Sequence, residues 1–252
     1  MAFLQMDFRS EALSQATSLN ILLPESKQDK RFTTLWLLHG LSDDHSAWMR
    51  YTSVERYAQK LGLAVVMPCV DRSWYTDTAY GKAYFTYVTQ ELPEIIASCF
   101  KGYHEEKESN LIIGLSMGGY GALKAALTYP EKYGFCASLS GSLDITRKGR
   151  PYRLEEWRSI FGFDLKSADE LEGSKHDLFA LVGTCQCPPY LYLWCGTEDS
   201  LLETNKRFSS HLSNLGVAHT LETSEGDHSW QYWDIHLQNA LAFWDMNIKC
   251  KN

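Results

Sequence analysis

The chain has 252 residues, 44% of them hydrophobic and 22% charged, with a formal net charge of −7 at pH 7. That size and composition suit a soluble globular protein with one sizeable core, and no Gly-, Ser- or Pro-rich linker interrupts residues 1–252, so one domain is expected. The acidic balance and the lack of a dominant Lys/Arg cluster argue against a nucleic-acid partner, and apolar runs such as Leu63 to Pro68 are far too short to span a bilayer.

In chain order, Met1 to Ser10 carries neither a cationic start nor a sustained apolar stretch, so no secretory signal is read there. Ala2 to Arg9 and Thr17 to Leu23 alternate in hydropathy like two antiparallel strands. Thr33 to Leu38 then opens a series of short buried runs, continued by Leu63 to Met67, Asn110 to Gly114, Phe135 to Leu139 and Tyr190 to Cys195, with Val217 to Thr223 last. Helical stretches fall at Trp48 to Leu61, Phe85 to Phe100, Met117 to Tyr129, Leu201 to Leu215 and Ser229 to Ile248. The alternation predicts an α/β class: about eight strands, mostly parallel, flanked by helices.

One connection is too long for an ordinary link. Residues 140–189 join the sixth and seventh strands, and this insertion contains the basic segment Thr146 to Arg150 and a short helix around Leu154 to Phe161 carrying Trp157. Such a segment is either a lid or binding loop, or a plain structural insertion. Seven cysteines is an odd number, and Cys69, Cys99, Cys136 and Cys195 sit in apolar or helix-like surroundings, which fits reduced thiols in a cytoplasmic setting. Cys185 and Cys187 with Cys195 match no zinc spacing and no histidine completes a set, so no metal is expected.

The chemistry centres on Gly114-Leu115-Ser116-Met117-Gly118, between an apolar run and a helix-forming run. A serine on a sharp strand-to-helix turn needs small residues two before and two after it, and the helix N-terminus beyond offers unpaired N–H groups to a developing oxyanion. Ser116 is therefore the candidate nucleophile.

A serine hydroxyl needs a base, and of eight histidines His228 alone lies in a Gly-bearing loop, Glu225 to Trp230, between the last strand and the last helix. His211, His219 and His236 fall within regular elements. The acid that orients the base should follow the strand between these two, which points to Asp199, although an aspartate there could instead cap the next helix. Glu198 and Asp227 are its rivals. For the oxyanion hole, Met117 follows the nucleophile and Leu41 follows the His39-Gly40 pair at a strand end, so their backbone N–H groups are the candidate donors. His39 reads as a structural hydrogen-bonder. Trp74, Tyr75 and Trp157 could line an aromatic substrate pocket, a role that competes with core packing.

Leu38-His39-Gly40-Leu41 with Trp48 downstream, Gly114 to Ala122, Cys195-Gly-Thr-Glu-Asp199 and Gly226-Asp-His-Ser-Trp230 occur in the order found in the esterase D group of α/β-hydrolases. The chain resembles that group over nearly its whole length, and is most similar to the small bacterial tributyrin esterases. The resemblance implies an α/β-hydrolase fold and a serine carboxylesterase that cleaves short-chain acyl esters, acetyl or aromatic acyl among them, through an acyl-serine, with no cofactor. The implied roles fall on Ser116, Asp199, His228, Leu41 and Met117. Its partner would be a small-molecule ester, and a homo-oligomer is left open. The same group holds S-formylglutathione hydrolases, so a thioesterase is the alternative, and a non-catalytic binding module the remote one.

Overall fold

The apolar runs form one eight-stranded sheet in the computed structural model, which describes residues 1–25, 31–146 and 154–249. The strands are β1 (Ala2–Ser10), β2 (Gln15–Leu23), β3 (Thr33–Leu38), β4 (Leu63–Pro68), β5 (Asn110–Leu115), β6 (Phe135–Leu139), β7 (Tyr190–Gly196) and β8 (His219–Ser224). They lie in the order β1-β2-β4-β3-β5-β6-β7-β8. The pairs β1–β2 and β2–β4 are antiparallel and every later neighbour is parallel.

Strand parity explains why the central runs are apolar throughout. In β3, Trp36 and Leu38 enter the core on one face while Leu35 and Leu37 enter the core on the other; in β7, Leu191 and Leu193 oppose Tyr192 and Trp194 in the same way. Both faces are covered, so neither parity class can be polar.

The helices are α1 (Ala47–Tyr51), α2 (Val54–Leu61), α3 (Tyr84–Thr86), α4 (Leu92–Cys99), α5 (Met117–Thr128), α6 (Leu154–Phe161), α7 (Leu178–Thr184), α8 (Leu202–Asn214) and α9 (Trp230–Asn247). Helix α5 is buried from Met117 to Leu127, which is why its sequence carries almost no polar face. Among the described residues, no helix is long and apolar enough to cross a membrane.

Three expectations needed correction. The helix read over Trp48 to Leu61 is two helices, because Thr52 turns extended and its hydroxyl donates to the Trp48 carbonyl while accepting from Val54 N–H; Asp234 takes the Ser53 N–H. The helix read from Phe85 contains a π-turn at Tyr87–Glu91. Pro93 cannot donate to the Thr89 carbonyl, and Lys132 Nζ donates to that oxygen instead, at 2.7 Å. The last strand begins at His219, not Val217.

The described parts of the insertion pack into the core rather than standing off it. Trp157, Ile160, Leu165, Leu171, Leu178 and Val182 share the cluster that covers one sheet face. Ala79 and Tyr80 donate their N–H groups to the Ile160 and Ser159 carbonyls, and Tyr120 Oη donates to the His176 carbonyl at 2.8 Å. Helix α7, unforeseen in sequence, is capped by Asp177, whose carboxylate accepts from Phe179 N–H. Of the basic segment, residues 147–150 lie outside the described residues, as does Cys250.

Candidate active site

The turn between β5 and α5 places Ser116 at φ 52° and ψ −115°, a left-handed strain that L-residues rarely accept. Its main chain is held on three sides: Ser116 N–H donates to the Leu139 carbonyl, and its own carbonyl accepts from Tyr120 and Ser142 N–H. The turn closes so tightly that a Cβ on Gly114 would collide with the Gly118 carbonyl, and one on Gly118 with the carbonyls of Leu38 and His39. Only glycine fits at either place, which is the physical content of the pentapeptide.

Loops at the same edge of the parallel sheet carry the other candidates. His228 Nε2 lies 3.0 Å from Ser116 Oγ, and its Nδ1 lies 2.7 Å from Asp199 Oδ2. The histidine side chain is 35% exposed and the aspartate side chain 0%. Asp199 Oδ1 accepts from Leu201 N–H at 2.8 Å, so the residue faces the imidazole and caps the turn into α8 at once. Burial pushes its carboxyl upward, but the hydrogen bonds from His228 and from Leu201 N–H outweigh that and hold it below the ordinary carboxylate range. A carboxylate accepting from Nδ1–H leaves Nε2 free to accept a proton.

The rival carboxylates do other things. Asp227 accepts from the Ser229 hydroxyl, and Glu198 accepts from Gly226 N–H. Among the histidines, His211 contacts the Phe179 carbonyl, His219 the Ser209 hydroxyl, and His236 stacks on Trp194 with ring centroids 3.7 Å apart.

The β3–α1 loop runs past the serine with Leu41 on the cavity wall. His39 beneath it is buried, and burial pushes its pKa down to about 4, so the ring is neutral. Val70 N–H donates to Nε2 at 3.0 Å; Nδ1 therefore carries the hydrogen and donates to the Gly40 carbonyl at 2.7 Å. In a trans peptide the carbonyl and the next N–H point in opposite directions, so fixing the Gly40 oxygen also fixes where Leu41 N–H points. Among the described residues, neither Leu41 N–H nor Met117 N–H donates to another protein group.

A cavity of about 640 Å³ opens over Ser116 and His228. Its apolar wall comes from Leu41, Trp74, Leu115, Trp230 and Trp233, and its polar wall includes Asp43 and four serines besides Ser116. Trp74 thus reaches the site, whereas Tyr75 and Trp157 do not. Tyr75 is buried with its hydroxyl donating to the His39 carbonyl, and Trp157 packs behind Trp74 at 5.8 Å. Sequence reading missed Trp230 and Trp233. Their signal was position: they lie two and five residues after His228, on the first turn of α9, and Trp233 meets the His228 ring edge-on at 4.9 Å. Trp48 backs the same wall, donating from Nε1 to the Leu38 carbonyl and meeting Trp230 at 5.1 Å.

Comparison with known proteins gives a consistent picture. The Esterase family model, described as "Putative esterase", matches residues 10–244. An acetyl esterase of Caldicellulosiruptor saccharolyticus is 33% identical over 96% of this chain and 98% of its own length. The substrate-bound structure of fluorophosphonate-binding serine hydrolase F from Staphylococcus aureus superimposes with a TM-score of 0.86 at 33% identity, covering 96% of this chain and 97% of that one. An S-formylglutathione hydrolase from the same organism gives a TM-score of 0.84 at 33% identity, with 96% and 98% covered.

Proposed function

This chain belongs to the Esterase family and is a serine carboxylesterase with an α/β-hydrolase fold, and from that premise we propose that Ser116 is its nucleophile, His228 its general base and Asp199 the acid that orients the base. The supporting observation is one imidazole bridging the Ser116 hydroxyl at 3.0 Å and the Asp199 carboxylate at 2.7 Å. In the proposed cycle Ser116 Oγ attacks the ester carbonyl as His228 Nε2 takes its proton. The tetrahedral oxyanion accepts from the N–H groups of Leu41 and Met117, a charge-directed pair of donors that needs no reorganisation. Collapse passes the proton from His228 to the leaving alcohol and leaves an acyl-serine. Water, deprotonated by the same imidazole, then releases the acid.

The substrate we propose is a small ester with a short acyl chain, of the kind tributyrin presents, with acetyl or aromatic acyl groups held against Trp74, Trp230 and Trp233. The unpaired thiols of Cys69, Cys99, Cys136, Cys185, Cys187 and Cys195 among the described residues favour a reducing, cytoplasmic setting. A thioester reading has specific support in the resemblance to an S-formylglutathione hydrolase at 33% identity. Turnover on acyl-glutathione against turnover on short nitrophenyl esters separates the two.

Ser116→Ala is expected to lower kcat by roughly 10⁶ with the fold intact, and to abolish labelling by a fluorophosphonate probe. Turnover near the wild-type rate in that variant would refute the assignment.

A further inference from the structure

We propose that Glu198, the neighbour of Asp199, is a positioning residue that clamps the His228 loop to the Asp199 loop. The inference rests on the reading of His228 as the base. Glu198 is exposed, yet it is not an idle surface carboxylate: Oε2 accepts from Gly226 N–H at 2.7 Å, and its own N–H donates to the Gly226 carbonyl at 2.9 Å. Its other oxygen accepts from the Thr197 hydroxyl at 2.7 Å, which fixes the carboxylate's rotation. Thr197 N–H donates to the Ser224 carbonyl at 2.8 Å, so the segment after β7 grips the end of β8 and the residues just beyond it at three main-chain groups.

The two loops could not approach this closely with side chains between them. A Cβ on Gly196 would strike the Gly226 carbonyl, and Gly226 itself sits at φ 154°. His228 is two residues beyond the clamped glycine, on an exposed stretch of the same loop. A charge-assisted N–H···O⁻ bond is stronger and shorter than a neutral one, and the Gly226 amide, followed by the Thr197 hydroxyl, holds the Glu198 carboxyl below its ordinary range. The carboxylate that competes with Asp199 in the sequence thus acts on the backbone of the base rather than on its ring. What it secures is distance: a base displaced by about 1 Å loses on the order of 10² in rate.

The test is steady-state kinetics on a short nitrophenyl ester with Glu198→Ala and Glu198→Gln, alongside Ser116→Ala and His228→Ala. Glu198→Ala is expected to lower kcat about tenfold with KM within about twofold, and with a melting temperature close to wild type because the side chain is exposed. Glu198→Gln keeps an oxygen that accepts from Gly226 N–H, and is expected to retain kcat within about threefold of wild type. Wild-type kcat in the alanine variant, a loss carried by KM instead, or a glutamine variant as impaired as the alanine one would each overturn the clamp. Failure of the underlying reading looks different: turnover would survive Ser116→Ala and His228→Ala, whatever the Glu198 variants do.

Discussion

At the scale of single residues, the Asp199 carboxylate divides its oxygens between Leu201 N–H and His228 Nδ1, with no water-facing edge left. Its proposed value to the His228 base is tautomeric. Replacement by asparagine would put an amide N–H₂ opposite Nδ1 in one of the two amide orientations; the imidazole hydrogen then moves to Nε2, which can no longer accept from Ser116. Asp199→Asn is therefore expected to lower kcat by roughly 10³–10⁴ while leaving the melting temperature little changed, since Leu201 N–H keeps a carbonyl acceptor. A variant within tenfold of wild type would remove Asp199 from the mechanism. The serine and histidine proposed for catalysis were legible in the sequence because each sits in a motif whose residue types have a stated reason. The choice among Glu198, Asp199 and Asp227 rested on chain order, and only side-chain direction separates the three.

At the scale of elements, the loop from β3 to α1 shows how a buried neutral histidine can control a peptide plane. His39→Leu keeps the volume but takes from the Gly40 carbonyl its 2.7 Å donor, leaving it the longer bond from Asp43 N–H at 3.3 Å, and leaves the buried Val70 N–H without its acceptor. The orphaned Val70 N–H alone costs about 1–3 kcal/mol, so urea unfolding should show a clear loss of stability. With the Gly40–Leu41 peptide loosened, kcat should fall further than KM rises, to a limit of about 10²–10³ set by losing one oxyanion donor. Unchanged kcat in a folded variant would mean that Leu41 N–H is held by something other than His39. Elements with strong apolar parity were read correctly from sequence, whereas the break at Thr52 and the π-turn before Pro93 were not. Both depend on partners distant in the chain, Asp234 for Ser53 N–H and Lys132 for the Thr89 carbonyl.

At the scale of the whole molecule, burial governs the response to acid. His39 and His236 are pushed down to about 4 and His176 to about 3, burial being the leading cause in each, with the Lys124 ammonium adding to it at His176. In the unfolded chain each imidazole takes up a proton near pH 6.5, so between that value and the folded pKa the unfolded state binds more protons and acidification favours it. Stability is expected to fall as pH drops below about 6.5, by up to about 1.4 kcal/mol per unit for each of the three groups, with two levelling off near pH 4 and the third near pH 3. The depressed Asp199 carboxyl adds a further loss at still lower pH, as it is protonated in the folded state. Urea titrations at pH 7.5 and 5 measure the effect, and equal unfolding free energies at both would contradict it. The amino-acid sequence by itself determined the order of the eight strands and of the five helical stretches read among them, the sharp turn at Ser116 and the imidazole proposed as the base, because hydropathy parity and the absence of side chains at Gly114 and Gly118 are local constraints written at fixed spacings. The tertiary structure alone decided that Tyr75 and Trp157 support the cavity from behind, that Trp230 and Trp233 face it, and that Glu198 bonds the Gly226 backbone while Asp199 bonds the His228 ring. Those outcomes turn on which direction a side chain takes when segments far apart in the chain pack together, and no local spacing carries that information.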